Sequence, residues 1–330
     1  MIKISIHEPM PMSAVAYYRS IGTFSYLPKI QPNIQINLPS QISWSNLVGT
    51  DILYMERPQQ DADLNALEIA KEFNVKIWVD YDDLLHEVPK YNPSYKFYTT
   101  THVGKNIEKA IELADIVTVS TPKIKEYYEK FNPNIHIIEN AHNDYQYQWE
   151  KVETTVDAIN WRGSATHRQD LLSVACEMFS LAEKYSDWAW TFIGNEVWYI
   201  TDRIKNSFNL AECDIISYNK FIKDLKSGIQ IVPLLWNEFN KAKSNIGWIE
   251  GTYAGSVTVA PNLGEFTKPG VCMYDDKADS FAYYLEKCIK SKSFRQEKYI
   301  ESFEYIAQNL MLSKVNKKRI TIIEKLLDEK

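Results

Sequence analysis

The chain has 330 residues, 45% hydrophobic and 24% charged, the composition of a folded protein of about two domains, which excludes a disordered, collagenous or disulfide-stapled chain. Its net charge of −6 falls entirely in residues 1–150, with 13 Lys+Arg against 19 Asp+Glu, so the first half is no evident polyanion-binding surface. With 11 glycines no GxGxxG or GxxxxGK[ST] can be assembled, which disfavours a nicotinamide-type Rossmann enzyme and a P-loop NTPase.

The first half predicts strands at Lys3–Ile6, Asn33–Asn37, Asp51–Met55, Val75–Asp80, Asp115–Ser120 and Ile135–Glu139, each a short apolar run bounded by turn residues. Helical periodicity lies between them. Ser13 can cap a helix from Ala14 to about Tyr26, and Asp61–Phe73, Gly104–Ala114 and Pro122–Phe131 are also helical. The pattern breaks over Ala141–Thr155, the expected linker. Alternation then resumes, with strands at Ala158–Trp161, Trp188–Ile193, Ile229–Pro233, Ser256–Ala260 and Val271–Met273. Helices fall at Asp170–Tyr185, about Tyr218–Lys226 and Asn245–Ala254, and Asp279–Lys330 reads as helical throughout. Strand and helix in alternation imply an α/β protein of two consecutive, doubly wound parallel sheets with a helical tail.

No apolar run approaches the ~18 to 20 residues of a membrane span. MIKISIHEPM is not a signal peptide, and Cys176, Cys213, Cys272 and Cys288 form no CxxC pair; reduced thiols and a cytoplasmic location are expected.

Ligands of open α/β sheets bind at the carboxyl ends of strands. The first such turn of the second half runs from Trp161 to Asp170. Gly163 admits close backbone approach, Thr166 and Gln169 fit a capping box, and Arg162 and His167 add donors for an anion at the helix start. The alternative is a capped helix with a surface arginine. The second turn follows Ile229–Pro233. There Ser244 is a plausible N-cap preceded by Lys243, which suits a phosphate, and Glu250 lies two turns on, where a carboxylate suits a sugar diol. Gly247, Gly251 and Gly255 leave one helix face bare for close packing.

The run PLLWNEFNKAKSNIGWIEGTYAGSVTVA resembles the donor-binding stretch of GT-B glycosyltransferases, specifically the retaining family 4-like group, including its compact bacterial and phage-encoded members. ADIVTVSTPKIKEYYEK…NIHIIENAHND resembles the end of that family's first domain, with Asn140 and Asp144 in its turn. INWRGSATHRQDLLSV and WTFIGNE resemble the start of the nucleotide-binding domain, and SAVAYYRS and VKIWVDYDDLL resemble first-domain elements.

The resemblance implies the GT-B fold: a Rossmann-like acceptor-side domain over residues 1–150, a donor-binding Rossmann-like domain over 151–310, and a C-terminal helix over 311–330 packing back on the first. It implies transfer of a sugar from a UDP- or GDP-linked donor to a hydroxyl acceptor with retention, no further cofactor and no metal. Lys243 would contact the donor diphosphate, with Ser244 and Asn245 beside it, and Glu250 the ribose. Gly163, Ser164 and His167 would face the phosphates, and Lys243 and Arg162 would stabilise the leaving diphosphate. Two positions depart from the family: a glutamate eight residues before Glu250 is Ala242, with Glu238 further upstream, and the proline of the small-residue turn is Val257.

Asp80, Asp82 and Asp83 spell DxD, which in GT-A transferases holds a metal; here an acidic helix cap and an acceptor-side site are the other readings. His7, ending the first strand, and Arg19 on the next helix are further acceptor-side candidates, against a structural histidine and a surface ion pair. Two alternatives to the leading function stay open: a transferase acting on a hydroxymethylated base in phage DNA, and a non-catalytic sugar-nucleotide or glycan-binding protein.

Overall fold

The structure, a computed structural model, describes residues 1–39, 42–100, 102–153 and 156–328. Two six-stranded sheets form it, parallel at every pairing. The first contains β1 (Ile2–His7), β2 (Ile34–Asn37), β3 (Ile52–Glu56), β4 (Lys76–Tyr81), β5 (Ile116–Val119) and β6 (Ile135–Ile137), in spatial order β2-β1-β3-β4-β5-β6. The second contains β7 (Ala158–Gly163), β8 (Ala189–Gly194), β9 (Ser207–Ala211), β10 (Ile229–Ile231), β11 (Val257–Pro261) and β12 (Cys272–Tyr274), in order β12-β11-β10-β7-β8-β9. Central strands are buried along their length: Ile116–Val119 and Val257–Pro261 have no exposed residue. Both faces of each sheet are therefore covered by helices, and the strands read as continuous apolar runs rather than alternating ones.

Strand order reverses between β1 and β3 in the first sheet and between β7 and β10 in the second. Crevices open at such points, outside the carboxyl ends of the strands. The last long helix, Leu312–Asp328, packs Leu312, Val315, Ile322, Ile323 and Leu326 with Ile4, Ile6, Phe24 and Trp78 of the first half.

Several helices are shorter than periodicity predicts. The helix expected from Ala14 to Tyr26 stops at Arg19, and short helices follow at Ile21–Phe24 and Leu27–Ile30. Ser20 leaves helical geometry and its hydroxyl donates to Glu8 at 2.6 Å; Gly22 lies so close to the Tyr17 carbonyl that a Cβ would sit 2.2 Å from its oxygen. The Asp170–Tyr185 helix divides into Arg168–Leu172 and Ala175–Lys184, where the Ser173 hydroxyl takes the Asp170 carbonyl. The C-terminal segment is three helices, Ser280–Lys290, Lys292–Asn309 and Leu312–Asp328, broken at Ser291 and at Leu310–Met311. Strand β9 escapes the sequence reading because it is a half-exposed edge strand without a β-branched residue. Thr154 and Thr155 of the expected linker, and Glu329 and Lys330 of the expected helix, lie outside the described residues.

Candidate functional site

A cleft of about 630 Å³ lies between the carboxyl ends of the two sheets and takes its walls from both halves. Arg162, Gly163, Ser164, His167, Lys243, Ser244, Asp82 and Asp83 all line it. Asn245, Glu250, His7, Arg19 and Asp80 do not.

The second-half wall begins where β7 and β8 end side by side in Gly163 and Gly194. A Cβ on Gly163 would lie 2.3 Å from the Trp161 ring. Gly194 has φ +108, and a Cβ there would lie 2.5 Å from the Gly163 carbonyl. Only glycine fits either position, and the pair presents bare backbone to the cleft. The next turn is not the expected capping box. Ala165–His167 form one 3₁₀ turn, and the Thr166 hydroxyl pairs with Ser164 at 2.7 Å. His167 is fixed instead by Asp170, Nδ1 to Oδ2 at 2.9 Å, and Asp170 is itself held by Leu235 N–H and Asn240.

Arg162 reaches across to the helix Ile246–Tyr253 and pairs with Glu250. That helix lies against β10 through its glycines: a Cβ on Gly251 would stand 2.9 Å from Gln230. Glu250 is 2% exposed in its side chain and also accepts from Tyr18 Oη at 2.7 Å and Tyr218 Oη at 3.4 Å. Burial raises its pKa against the opposing pull of Arg162 and the two hydroxyls. Glu250 thus sits behind the cleft wall, on a cavity of about 10 Å³ shared with Tyr18 and Asn219. Arg162 is 26% exposed; its guanidinium lies 5.1 Å from the Tyr218 ring centroid, and its Nε has no hydrogen-bond partner.

Ser244 does not cap the helix. Asn245 occupies the N-cap position, and the Ser244 hydroxyl accepts from Asn140 of the first half at 3.0 Å. The loop 242–244 is held by the opposite half residue by residue: Thr121 donates to the Ala242 carbonyl at 3.0 Å, and Lys243 Nζ reaches Asp83 Oδ1 at 3.0 Å. Ala242, where the family's glutamate would stand, is buried among first-half side chains. Glu238 does not line the cleft and pairs with Lys241 and Lys123.

On the first-half wall, Arg57 is the organising residue that sequence reading missed. It follows β3 with φ +47, a strained value for a non-glycine residue. Its guanidinium pairs with Asp82, donates to Asp83 Oδ2 at 2.8 Å and lies 3.4 Å from Glu56. Burial pushes the Asp83 carboxyl up, but Lys243 and Arg57 outweigh it and hold it at about 2. Glu56, buried beside Glu8 and Asp82, is pushed up to about 9. The DxD aspartates are therefore each met by cations of the chain. Asp80 is sealed away from the cleft by Arg19, with contacts of 2.7 and 2.9 Å, and by Thr118 at 2.5 Å. Arg19 is no surface residue: it is buried, and it also donates to the Ile138 carbonyl and Asn140. His7 lies 3.9 Å from Asp63, outside the cleft. The one signal for Arg57 was a lone arginine at a strand end before Pro58; Tyr18 had none beyond its place in the first helix.

No family profile and no curated protein matches the sequence. Solved structures do match the fold. A glycosyltransferase from Rickettsia africae ESF-5 superposes with a TM-score of 0.66 at 14% identity, over 100% of this chain and 99% of that one. Anabaena Alr3699/HepE in complex with UDP and glucose gives 0.66 at 11% identity, over 98% and 100%. A Listeria monocytogenes protein assigned as a UDP-N-acetylglucosamine 2-epimerase gives 0.63 at 11% identity, over 100% and 97%. At such identities the likeness establishes architecture: the chain has the GT-B fold, two Rossmann-like sheets facing a cleft. Among the described residues, no helix is long and apolar enough to cross a membrane.

Proposed function

We propose that the protein is a glycosyltransferase that moves a sugar from a UDP- or GDP-linked donor to a hydroxyl acceptor, with retention, in the manner of family 4. The observation that carries this reading is the second-half wall of the cleft. Two glycines expose backbone at the ends of β7 and β8, and Arg162 and Lys243 line the same cleft with His167 and Ser244. Bare backbone with two cations suits a diphosphate. Glu250 behind them suits ribose hydroxyls, and Asn245 stands at the helix start beside Ser244, its side chain turned to the Glu265 carbonyl at 3.5 Å. The leaving diphosphate would take the acceptor proton, while Lys243 and the exposed part of the Arg162 guanidinium stabilise its growing charge. Retention by this route needs no dedicated protein base; Ala242, where the family often has a glutamate, departs from that family and keeps the non-catalytic alternative in the test.

The acceptor would enter from the first-half wall, past Asp82 and Asp83. Arg57 and Lys243 pair with those carboxylates, and Glu212 and Asp214 lie opposite, so the lining is mixed in charge rather than basic, which disfavours a DNA acceptor. A neutral polyhydroxyl acceptor fits better.

The test is a thermal-shift panel of UDP- and GDP-linked sugars, followed by product analysis. A donor at 100 times its dissociation constant adds about 2.7 kcal/mol of stability. The expected result is a shift with one nucleotide sugar and nucleoside diphosphate release that requires an acceptor. A panel without any shift overturns the reading. Binding without turnover supports a non-catalytic sugar-nucleotide protein, and isomerisation of the donor without nucleotide release supports an epimerase.

A further inference from the structure

Two of the contacts between the halves share a chemical logic. Lys243, the cation assigned to the donor diphosphate, holds a carboxylate of the other half, Asp83, at 3.0 Å. Glu250, the carboxylate assigned to ribose hydroxyls, holds a hydroxyl of the other half, Tyr18, at 2.7 Å. Each time, the first half offers the group that the donor would bring: an anion to the cation, a hydroxyl to the carboxylate.

The placement of both residues is specific. Arg57 fixes the other oxygen of Asp83 at 2.8 Å, so the carboxylate is aimed at Lys243 rather than swept there by chance. Tyr18 borders both the main cleft and the small cavity in front of Glu250, so its ring is the partition between them. Tyr18 thus stands between the cleft and Glu250, beside Arg162 and Tyr218, which also line the cleft and contact the same carboxylate.

We propose that Asp83 and Tyr18 are internal surrogates of the donor: in the free protein they occupy the diphosphate and ribose subsites, latch the two halves together, and are displaced by the nucleotide. The proposal rests on the donor-site reading given above. Nucleotide binding is then an exchange and not a simple addition, and its apparent affinity is lowered by the stability of the latch. A diphosphate beside Lys243 also brings negative charge against Asp83, so the two anions cannot share the subsite. Thr121 on the Ala242 carbonyl and Asn140 on Ser244 use no donor-binding charge and are free to persist as the hinge side of the exchange.

The experiment is calorimetric titration of UDP, and of GDP in parallel, into the full chain and four variants. Asp83→Asn and Tyr18→Phe remove one surrogate each. Both are expected to bind the nucleotide about tenfold more tightly than the parent, in the range that a lost competing state of modest stability implies. Both should also melt at a lower temperature without ligand, because a contact between the halves is gone. Lys243→Ala is expected to bind more weakly. If Asp83→Asn and Tyr18→Phe bind no more tightly while Lys243→Ala binds more weakly, the donor site stands and the surrogate idea is overturned. If Lys243→Ala added to Asp83→Asn, where no latch remains at this subsite, binds as Asp83→Asn alone does, or if neither nucleotide binds any form, the donor-site reading itself fails. Should Asp83→Asn not fold, Tyr18→Phe decides alone, since it keeps the ring and removes only the hydroxyl.

Discussion

Two buried carboxylates near the cleft, Asp80 in the first half and Glu250 in the second, are each paired with an arginine, and the two pairs differ in what they leave open. Arg19–Asp80 in the first half is sealed, at 0% and 2% side-chain exposure, and its remaining donors and lone pairs are taken by Ile138, Asn140 and Thr118. Arg162–Glu250 in the second half has an equally buried carboxylate, but its arginine is 26% exposed with an unpartnered Nε. Sealing turns a pair into architecture: Arg19 ties the helix Ala14–Arg19 to β4 and to the turn after β6. An open side turns a pair into a binding surface, because a ligand in the cleft can reach the exposed part of the guanidinium.

The comparison breaks if the two arginines behave alike on substitution. The largest expected effect is at the sealed pair. Arg19→Ala strands a buried carboxylate and should lower unfolding free energy by about 3–5 kcal/mol, read as a drop in urea midpoint at constant slope. Arg162→Gln also leaves a buried carboxylate, Glu250, but Tyr18 and Tyr218 still donate to it, so the cost should be smaller, about 1–3 kcal/mol, while transfer falls about a hundredfold. Equal losses of stability at both positions would make Arg162 a structural residue like Arg19.

Much of this contrast was invisible in the sequence, for a physical reason. Strands were legible because parallel, doubly covered strands must be continuous apolar runs, as in Ile116–Val119. The Lys243–Glu250 segment was legible because its turn and helix are local. The partners were not. Tyr18 meets Glu250 across 232 positions of chain, Arg57 meets Asp83 only once β3 and β4 pair, and Lys243 meets Asp83 only after both sheets form and face one another. Even the helix start was misread: Ser244 is a good N-cap by type, but Asn140 claims its hydroxyl, and Asn245 stands at the cap. Local chemistry proposed Arg19 as an acceptor-side residue, with a surface ion pair as the other reading; tertiary structure buries it against Asp80.

A second, smaller effect sharpens the contrast within one loop. Lys243 faces the cleft and Asp83, whereas Lys241, two residues earlier, is exposed and pairs with Glu238. Lys243→Ala should slow transfer about thirtyfold and raise the donor KM less, because diphosphate charge grows as the glycosidic bond breaks. Lys241→Ala should leave both constants within about twofold, as expected for an exposed pair. Steady-state kinetics on the two variants measures this, and similar small changes at both would move the phosphate site elsewhere.

The smallest expected effect concerns Glu56, where the first-half wall stores a carboxyl that the fold prefers uncharged. Glu56 is 8% exposed and faces Glu8, Asp82 and Arg57; burial, not fully offset by Arg57, lifts it to about 9. In the unfolded chain a glutamate titrates near 4.3. Between those values the folded state holds a proton that the unfolded state has released, so unfolding free energy falls as pH rises across roughly pH 5 to 9. The sign is opposite to that of Asp83, whose depressed pKa of about 2 contributes stability above the unfolded value near 3.9 and loses it as pH drops toward 2. Glu56→Gln keeps the neutral shape and removes the titration. Urea unfolding at pH 6 and pH 8.5 should therefore show a smaller decline for Glu56→Gln than for the parent, by about 1 kcal/mol. An identical decline in both proteins would mean that Glu56 is ionised in the folded state, and that Arg57 serves three carboxylates on this wall instead of two.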